Sequence, residues 1–249
     1  MRCIRGILME VYWLEQTEAD VPADDDWLSA NEATRLNAMR FAKRRADWRL
    51  GRWTGKRALS IFLGRPAHPQ VFKEMEIRSA PSGSPEVYFG NQPAAVAISL
   101  SHRAGVAACA VTILGMELGC DLEMVEPHSD AFLADYFTTE EQSLVADASG
   151  VERWRLLALL WSAKESALKA LHQGLRLDSR NVIVSLGDAF FDFPDWSPMQ
   201  VRHIDGRIFY GWWQHANNIV RTLVAAPPPI PPIRFRVSDY VLEPASLCT

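Results

Sequence analysis

Asp121 and Glu123 stand two apart in the run Gly-Cys-Asp-Leu-Glu of this 249-residue chain. On a strand, residues two apart face the same side. Two neighbouring carboxylates repel unless a cation lies between them. An all-oxygen pair suits Mg2+, which keeps several waters and commonly a phosphate oxygen. The plainer alternative is a solvated acidic edge. Glu165 and Lys169 are four apart in Trp-Ser-Ala-Lys-Glu-Ser-Ala-Leu-Lys, so on a helix they share a face. Trp154, Leu157, Trp161, Leu168 and Leu171 recur at helical spacing as an apolar stripe, with Lys164 on the stripe and Glu165 at its edge. Charges placed there need partners. Glu165 would complete a three-carboxylate metal site, and Lys169 would neutralise a phosphate or hold a reacting hydroxyl. The bland alternative is an exposed Glu–Lys pair that only supports its helix.

Residues 40–59, from Arg40 to Leu59, hold eight basic side chains and one acid. Arg45, Arg49, Arg52 and Lys56 follow helical spacing, while Leu50, Trp53, Ala58 and Ile61 lie on another face that can pack inward. The stripe reads either as a solvated basic face or as a dock for a multiply phosphorylated ligand, since Arg pairs with phosphate in a fixed fork. Arg57 falls on the apolar side. Ser101 and His102, in Ser-Leu-Ser-His-Arg-Ala-Gly, sit near the tip of an expected hairpin, where a hydroxyl and an imidazole can bind phosphate. Adjacent residues do not face each other as nucleophile and base, so a hydrolase triad fits poorly there, and the plainer alternative is a structural loop histidine.

These groups need elements to hold them. Residues 1–14 read as a first strand. Ser29-Ala-Asn-Glu32 is a capping box that starts a helix, and a second helix covers Ala46 to Phe62. Residues 79–94 are turn-rich around one short extended piece. Two β-rich runs flank Arg103-Ala104 as a hairpin, and residues 116–125 form another strand. Thr138-Thr-Glu-Glu141 is a second capping box. It is followed by the long helix from about Val151 to His172, closed by Gly174. Residues 180–186, 201–213 and 218–226 read as strands. Pro227 to Pro232 is a stiff connector. Both halves of the chain thus run helices and then strands, without a sequence repeat.

With 48% hydrophobic and 22% charged residues the chain has the makeup of an ordinary globular protein, and its length admits one large domain or two small ones. A net charge of −4 gives no global signature of a nucleic-acid binder. Cys3, Cys109, Cys120 and Cys248 have neither metal-ligand spacing nor a disulfide framework, so they read as reduced thiols of a cytoplasmic protein. No stretch reads as a signal peptide or membrane span.

The order Ser-Leu-Ser-His-Arg-Ala-Gly, Leu-Gly-Cys-Asp-Leu-Glu, Phe-Thr-Thr-Glu-Glu and Trp-Ser-Ala-Lys-Glu-Ser-Ala-Leu-Lys resembles the Sfp-type 4′-phosphopantetheinyl transferases, from about Arg40 to Leu175. The resemblance implies an α+β fold of two similar α/β halves related by pseudo-twofold symmetry. Here these would be residues 1–116, with phosphate-binding elements, and 117–249, with the G-x-D-x-E and W-x-x-K-E-x-x-x-K motifs. It implies transfer of phosphopantetheine from coenzyme A to a serine of an acyl or peptidyl carrier protein, releasing 3′,5′-ADP. Carried over by motif, Asp121, Glu123 and Glu165 would hold Mg2+. Glu165 and Lys169 would act in catalysis. Arg45, Arg49, Ser101, His102 and Lys169 would bind coenzyme A, with Arg52 added by spacing and Arg78 by its place before the Ser-Gly-Ser-Pro loop. Such an enzyme would be monomeric and would serve fatty acid or secondary metabolism. Two departures stand out. Ser84 occupies the lysine position of the family's Gly-Lys-Pro, and Ser99 stands where the family often has Asn. The rivals are a metal-dependent nuclease or phosphohydrolase and a non-catalytic homologue that binds carrier proteins.

Overall fold

The computed structural model describes residues 9–173, 177–186 and 196–235. Gly174, Cys3 and Cys248 lie outside the described residues. The first half runs β1 (Tyr12–Thr17), α1 (Ala30–Asn37), α2 (Ala42–Phe62), α3 (Pro69–Glu74), β2 (Met75–Ser79), β3 (Pro85–Phe89), β4 (Gln92–Pro93), β5 (Val96–Arg103) and β6 (Val106–Ile113). The second runs β7 (Glu117–Met124), α4 (Asp130–Tyr136), α5 (Thr139–Asp147), α6 (Gly150–Ala170), β8 (Val182–Leu186), β9 (Ser197–His203), β10 (Ile208–Ala216) and β11 (Ile219–Ala226); β12 (Ile233–Arg234) follows. The fold is mixed α+β. β12, β1, β6 and β5 form one sheet; β7, β11, β10, β9 and β8 form another; β2, β3 and β4 make a small third. The segment Pro227 to Pro232 carries the chain back to the first sheet, where β12 pairs parallel with β1.

The expected hairpin is β5–β6, turning at Ala104 and Gly105 with φ of 50° and 75°, the positive pair that a tight two-residue turn requires. Both capping boxes form, at Ser29/Glu32 and Thr138/Glu141. The second one caps α5, a separate helix that precedes α6, and α3 and α4 were not anticipated. Residues 201–213 contain a turn, and their strand character divides between β9 and β10.

Helix α6 is buried on more than one side, because it packs on β7 and β11 while α5 and β8 cover it. That leaves no solvent face for Lys164, which is 0% exposed. Its ammonium lies 2.8 Å from Glu141 Oε2 and donates to the carbonyls of Ser179 (3.0 Å) and Val182. The first half repeats this arrangement. Lys56 of α2, also 0% exposed, pairs with Glu32 Oε2 and donates to the carbonyls of Trp27 (3.1 Å) and Phe72 (2.7 Å). Each glutamate also accepts the N–H of its own cap residue, Ser29 or Thr138. Each accepts a strand N–H as well, Ile77 in β2 or Val184 in β8, at 3.1 Å. Burial pushes both ammoniums below the usual lysine range, and the paired glutamate pushes back. Lys56 is therefore not part of an outward basic stripe; it is a core cation.

Lys56→Met and Lys164→Met should each destabilise the fold by about 3–5 kcal/mol, because each strands a buried carboxylate. Removing both partners together, as in Glu32→Leu with Lys56→Met, should cost less than the single lysine change. Urea denaturation followed by circular dichroism checks both statements; a double variant weaker than the single would contradict them.

Candidate active site

β5 is the edge of the first sheet and β7 the edge of the second, and the two edges meet. An edge strand carries unpaired N–H and C=O groups, and here side chains satisfy them. Ser99 Oγ accepts Cys120 N–H at 2.9 Å, and Ser101 Oγ accepts Leu122 N–H at 3.2 Å. Lys169 Nζ donates to the Cys120 carbonyl at 2.9 Å. Alternation along β5 gives Ser99, Ser101 and Arg103 to β7 and turns His102 the other way. His102 keeps an exposed surface, but the protein packed around its ring partly desolvates the imidazole and holds it below the usual histidine range, with the carboxylate of Asp47 opposing.

Asp121 lies at this seam, 5% exposed. Its Oδ1 accepts from Ser101 Oγ at 2.8 Å and from Lys169 Nζ at 2.7 Å. Its Oδ2 and the Oε1 of Glu165 are buried and have no hydrogen-bond partner. Glu123, on the same side of β7, is pushed up to about 7 by burial and then by Asp121, with Arg103, Lys169 and the Trp161 indole opposing. Burial and Asp121 also push Glu165 up, against Lys169. Burial alone would lower the Lys169 ammonium, but Asp121, Cys120 and Glu165 outweigh it and the net shift is upward. The four residues therefore share one low-dielectric neighbourhood. They do not form a closed metal cage: among the described residues no group of three or more Asp, Glu, His or Cys is arranged to hold an ion. Arg103 Nε draws Glu123 Oε2 to 3.3 Å, and its terminal nitrogen meets Glu126. Even so, two buried carboxylate oxygens without donors, beside a carboxyl that loses its proton only near neutrality, are what a hard cation would satisfy. The donors are all carboxylate oxygens, the type Mg2+ takes.

Gly119 explains the approach of helix to strand. A Cβ on it would come 1.8 Å from the Ser166 carbonyl oxygen of α6. Only glycine lets the helix backbone press on β7 and bring Glu165 and Lys169 over Asp121. Ser162 and Ser166 on α6 both bond Thr222 Oγ1, the register partner of Asp121, at 2.8 and 2.7 Å. Sequence reasoning named the carboxylates and missed these hydroxyls and the reason for Gly119; a glycine opening an acidic strand motif was the available signal.

A pocket of about 210 Å3 opens at the seam, lined in part by Ser82, Ser84, Ser99, Leu118, Lys169 and His172, and it adjoins a chamber of about 650 Å3. The basic candidates are placed differently from expectation. Arg45 donates to the Leu36 carbonyl at 2.9 Å. Arg49 bonds Asp25 at 2.7 Å and the carbonyls of residues 22–24. Arg52 is 8% exposed, 5.0 Å over the Trp48 ring and 3.9 Å from Glu32, and burial pushes it down to about 10. It is not on an outward face, because that side of α2 packs against α1 and β2. Arg78 bonds Glu76 at 3.0 Å and stacks on Tyr88. Arg57, unexplained by the sequence, lies 6.0 Å over the Trp53 ring. Cys109 and Cys120 are free, buried thiols.

The sequence profile of the 4′-phosphopantetheinyl transferase superfamily matches residues 117–226, which hold both acidic motifs. No curated protein matches the chain. Among solved structures, a holo-(acyl-carrier-protein) synthase from Bacillus anthracis in complex with CoA (3′,5′-ADP) is similar. It has 19% identity and a TM-score of 0.36, over 43% of this chain and 96% of that one. A Helicobacter pylori holo-[acyl-carrier-protein] synthase in complex with coenzyme A is similar at 17% identity and a TM-score of 0.33, over 41% and 98%.

Gly119→Ala should force α6 off β7 and move Glu165 and Lys169 away from Asp121. The melting temperature should fall by several degrees, about 1–3 kcal/mol of overpacking. The Glu123 titration gives a second check. Its proton is retained in the folded state to about pH 7, so its contribution to stability is fully present below about 4.3, the ordinary Glu value, and is lost as pH rises through about 7. Arg103→Ala removes a cation that lowers it, and carboxyl carbon-13 NMR should then place Glu123 higher still.

Proposed function

We propose that this chain is a 4′-phosphopantetheinyl transferase of Sfp type, moving 4′-phosphopantetheine from coenzyme A to a serine of an acyl or peptidyl carrier protein. The observation that carries the reading is the seam itself. Lys169 is clamped on Asp121 Oδ1, with partnerless Asp121 Oδ2 and Glu165 Oε1 beside a pocket. The match of residues 117–226 to the superfamily profile supports the same chemistry.

Asp121, Glu123 and Glu165 would hold Mg2+, which when bound withdraws charge from a pyrophosphate. Lys169 neutralises charge on the transferred phosphate. Glu165, with a raised affinity for protons, takes the proton from the carrier serine hydroxyl. The serine oxygen bonds to the phosphorus next to the pantetheine arm, the bond from that phosphorus to the bridging oxygen breaks, and 3′,5′-ADP leaves. As in other phosphoryl transfers, positioning and charge stabilisation do most of the work. Ser101 orients Asp121. His102, Arg45, Arg49 and Arg78 are the further groups for coenzyme A. Arg52 is better read as support for the buried Glu32–Lys56 pair. The two halves, residues 1–116 and 117–249, contribute their edge strands to one site, in a cytoplasmic monomer. Described residues include no helix long and apolar enough to cross a membrane.

Incubation of apo carrier proteins with coenzyme A and Mg2+ should add one phosphopantetheine mass, read by mass spectrometry. Glu165→Gln should reduce the rate by at least about 100-fold with the fold intact. Transfer at near-parental rate would remove Glu165 from the mechanism, and cleavage of nucleic acid without coenzyme A would favour a nuclease.

A further inference from the structure

Lys169 is the only lysine or arginine among the described residues that line the 210 Å3 pocket. Its ammonium is already engaged, 2.7 Å from Asp121 Oδ1 and 2.9 Å from the Cys120 carbonyl. Ser82 and Ser84, which also line it, hydrogen-bond each other at 2.8 Å. A polyanion entering this pocket therefore meets one ammonium with two of its three N–H donors taken, and two hydroxyls turned to one another. Phosphate oxygens need charged or strongly polar donors when they leave water.

A further side-chain donor stands close by. His172 lines both the pocket and the 650 Å3 chamber. Its side chain is exposed and makes no hydrogen bond to another described residue. It stands one residue beyond the α6 cap, its N–H bonded to the Lys169 carbonyl at 3.0 Å, so it is fixed one turn from the site lysine. Its backbone φ is 54°. That left-handed conformation is about 1–2 kcal/mol unfavourable for a residue with a Cβ. Glycine or asparagine serves better as a simple helix stop. The chamber beyond has no lysine or arginine among its lining residues; Glu86 and Glu117 are its charged groups. A phosphate is thus favoured at the His172 junction and disfavoured deeper in.

We propose that His172 is a binding residue for the phosphate groups of the donor molecule, adding an imidazole donor beside Lys169 where the Ser84 wall offers only hydroxyls. This rests on the coenzyme A reading above. The test measures coenzyme A affinity by calorimetry for the parent, His172→Gly, and His172→Gly with Ser84→Lys. Glycine adopts the left-handed backbone freely and carries no side-chain donor, so the melting temperature should hold. Affinity should fall about tenfold, the loss of one hydrogen bond to a charged group, and Ser84→Lys should restore much of it. Equal affinities for the parent and His172→Gly overturn the assignment. So does a loss that Ser84→Lys leaves untouched, which assigns His172 to the shape of the helix end. A parent that binds coenzyme A but transfers nothing overturns the transferase reading, and the His172 comparison still decides this proposal. A parent that does not bind coenzyme A overturns both.

Discussion

A lysine with no access to water must be neutralised where it stands. Lys56 and Lys164 meet that requirement in the same way, on the carboxylate of a helix-capping glutamate. Each glutamate is shared among its own cap N–H, a strand N–H and the ammonium. A capping helix, a long helix and the strand that follows are thereby fixed to one carboxylate in each half. An ion pair so buried is not a large net source of stability, since desolvation offsets most of the attraction. Its effect is on geometry: any slip of α2 or α6 by a turn would leave an unpaired charge in an apolar core.

That geometry is what the seam depends on. α6 can offer Glu165 and Lys169 to β7 only if its register is fixed, and Lys164, next in sequence to Glu165, fixes it. Gly119 then lets the helix approach, and Ser162 and Ser166 seat it on Thr222. From the other side, β5 meets β7 through hydroxyls, not a backbone ladder. Ser99 and Ser101 satisfy the outer N–H groups of β7, and Lys169 takes an outer carbonyl. Ser99 thus gives β7 a working acceptor. Burial at this seam, and then the charge of Asp121, raise the proton affinity of Glu123 and Glu165.

The sequence by itself determined the elements whose signals are local. The two capping boxes, the β5–β6 turn and the alternation that sets Asp121 beside Glu123 depend on residues within a few positions of each other, and all are present. The spacing within the acidic strand run and along the helix likewise singled out Asp121, Glu123, Glu165 and Lys169, and the fold brings these four side chains to one seam. Tertiary structure alone decided what each charge faces. Helical spacing put Arg52 and Lys56 in line with Arg45 and Arg49, but a 3.6-residue period cannot say that α1 and β2 cover that side of α2. Nor could it say that the buried charge at Lys164 is a structural cation answered by Glu141, while Glu165, one residue on, looks into the seam. The partners of those charges come from elements far away along the chain, and only the packing of the two halves brings them within reach.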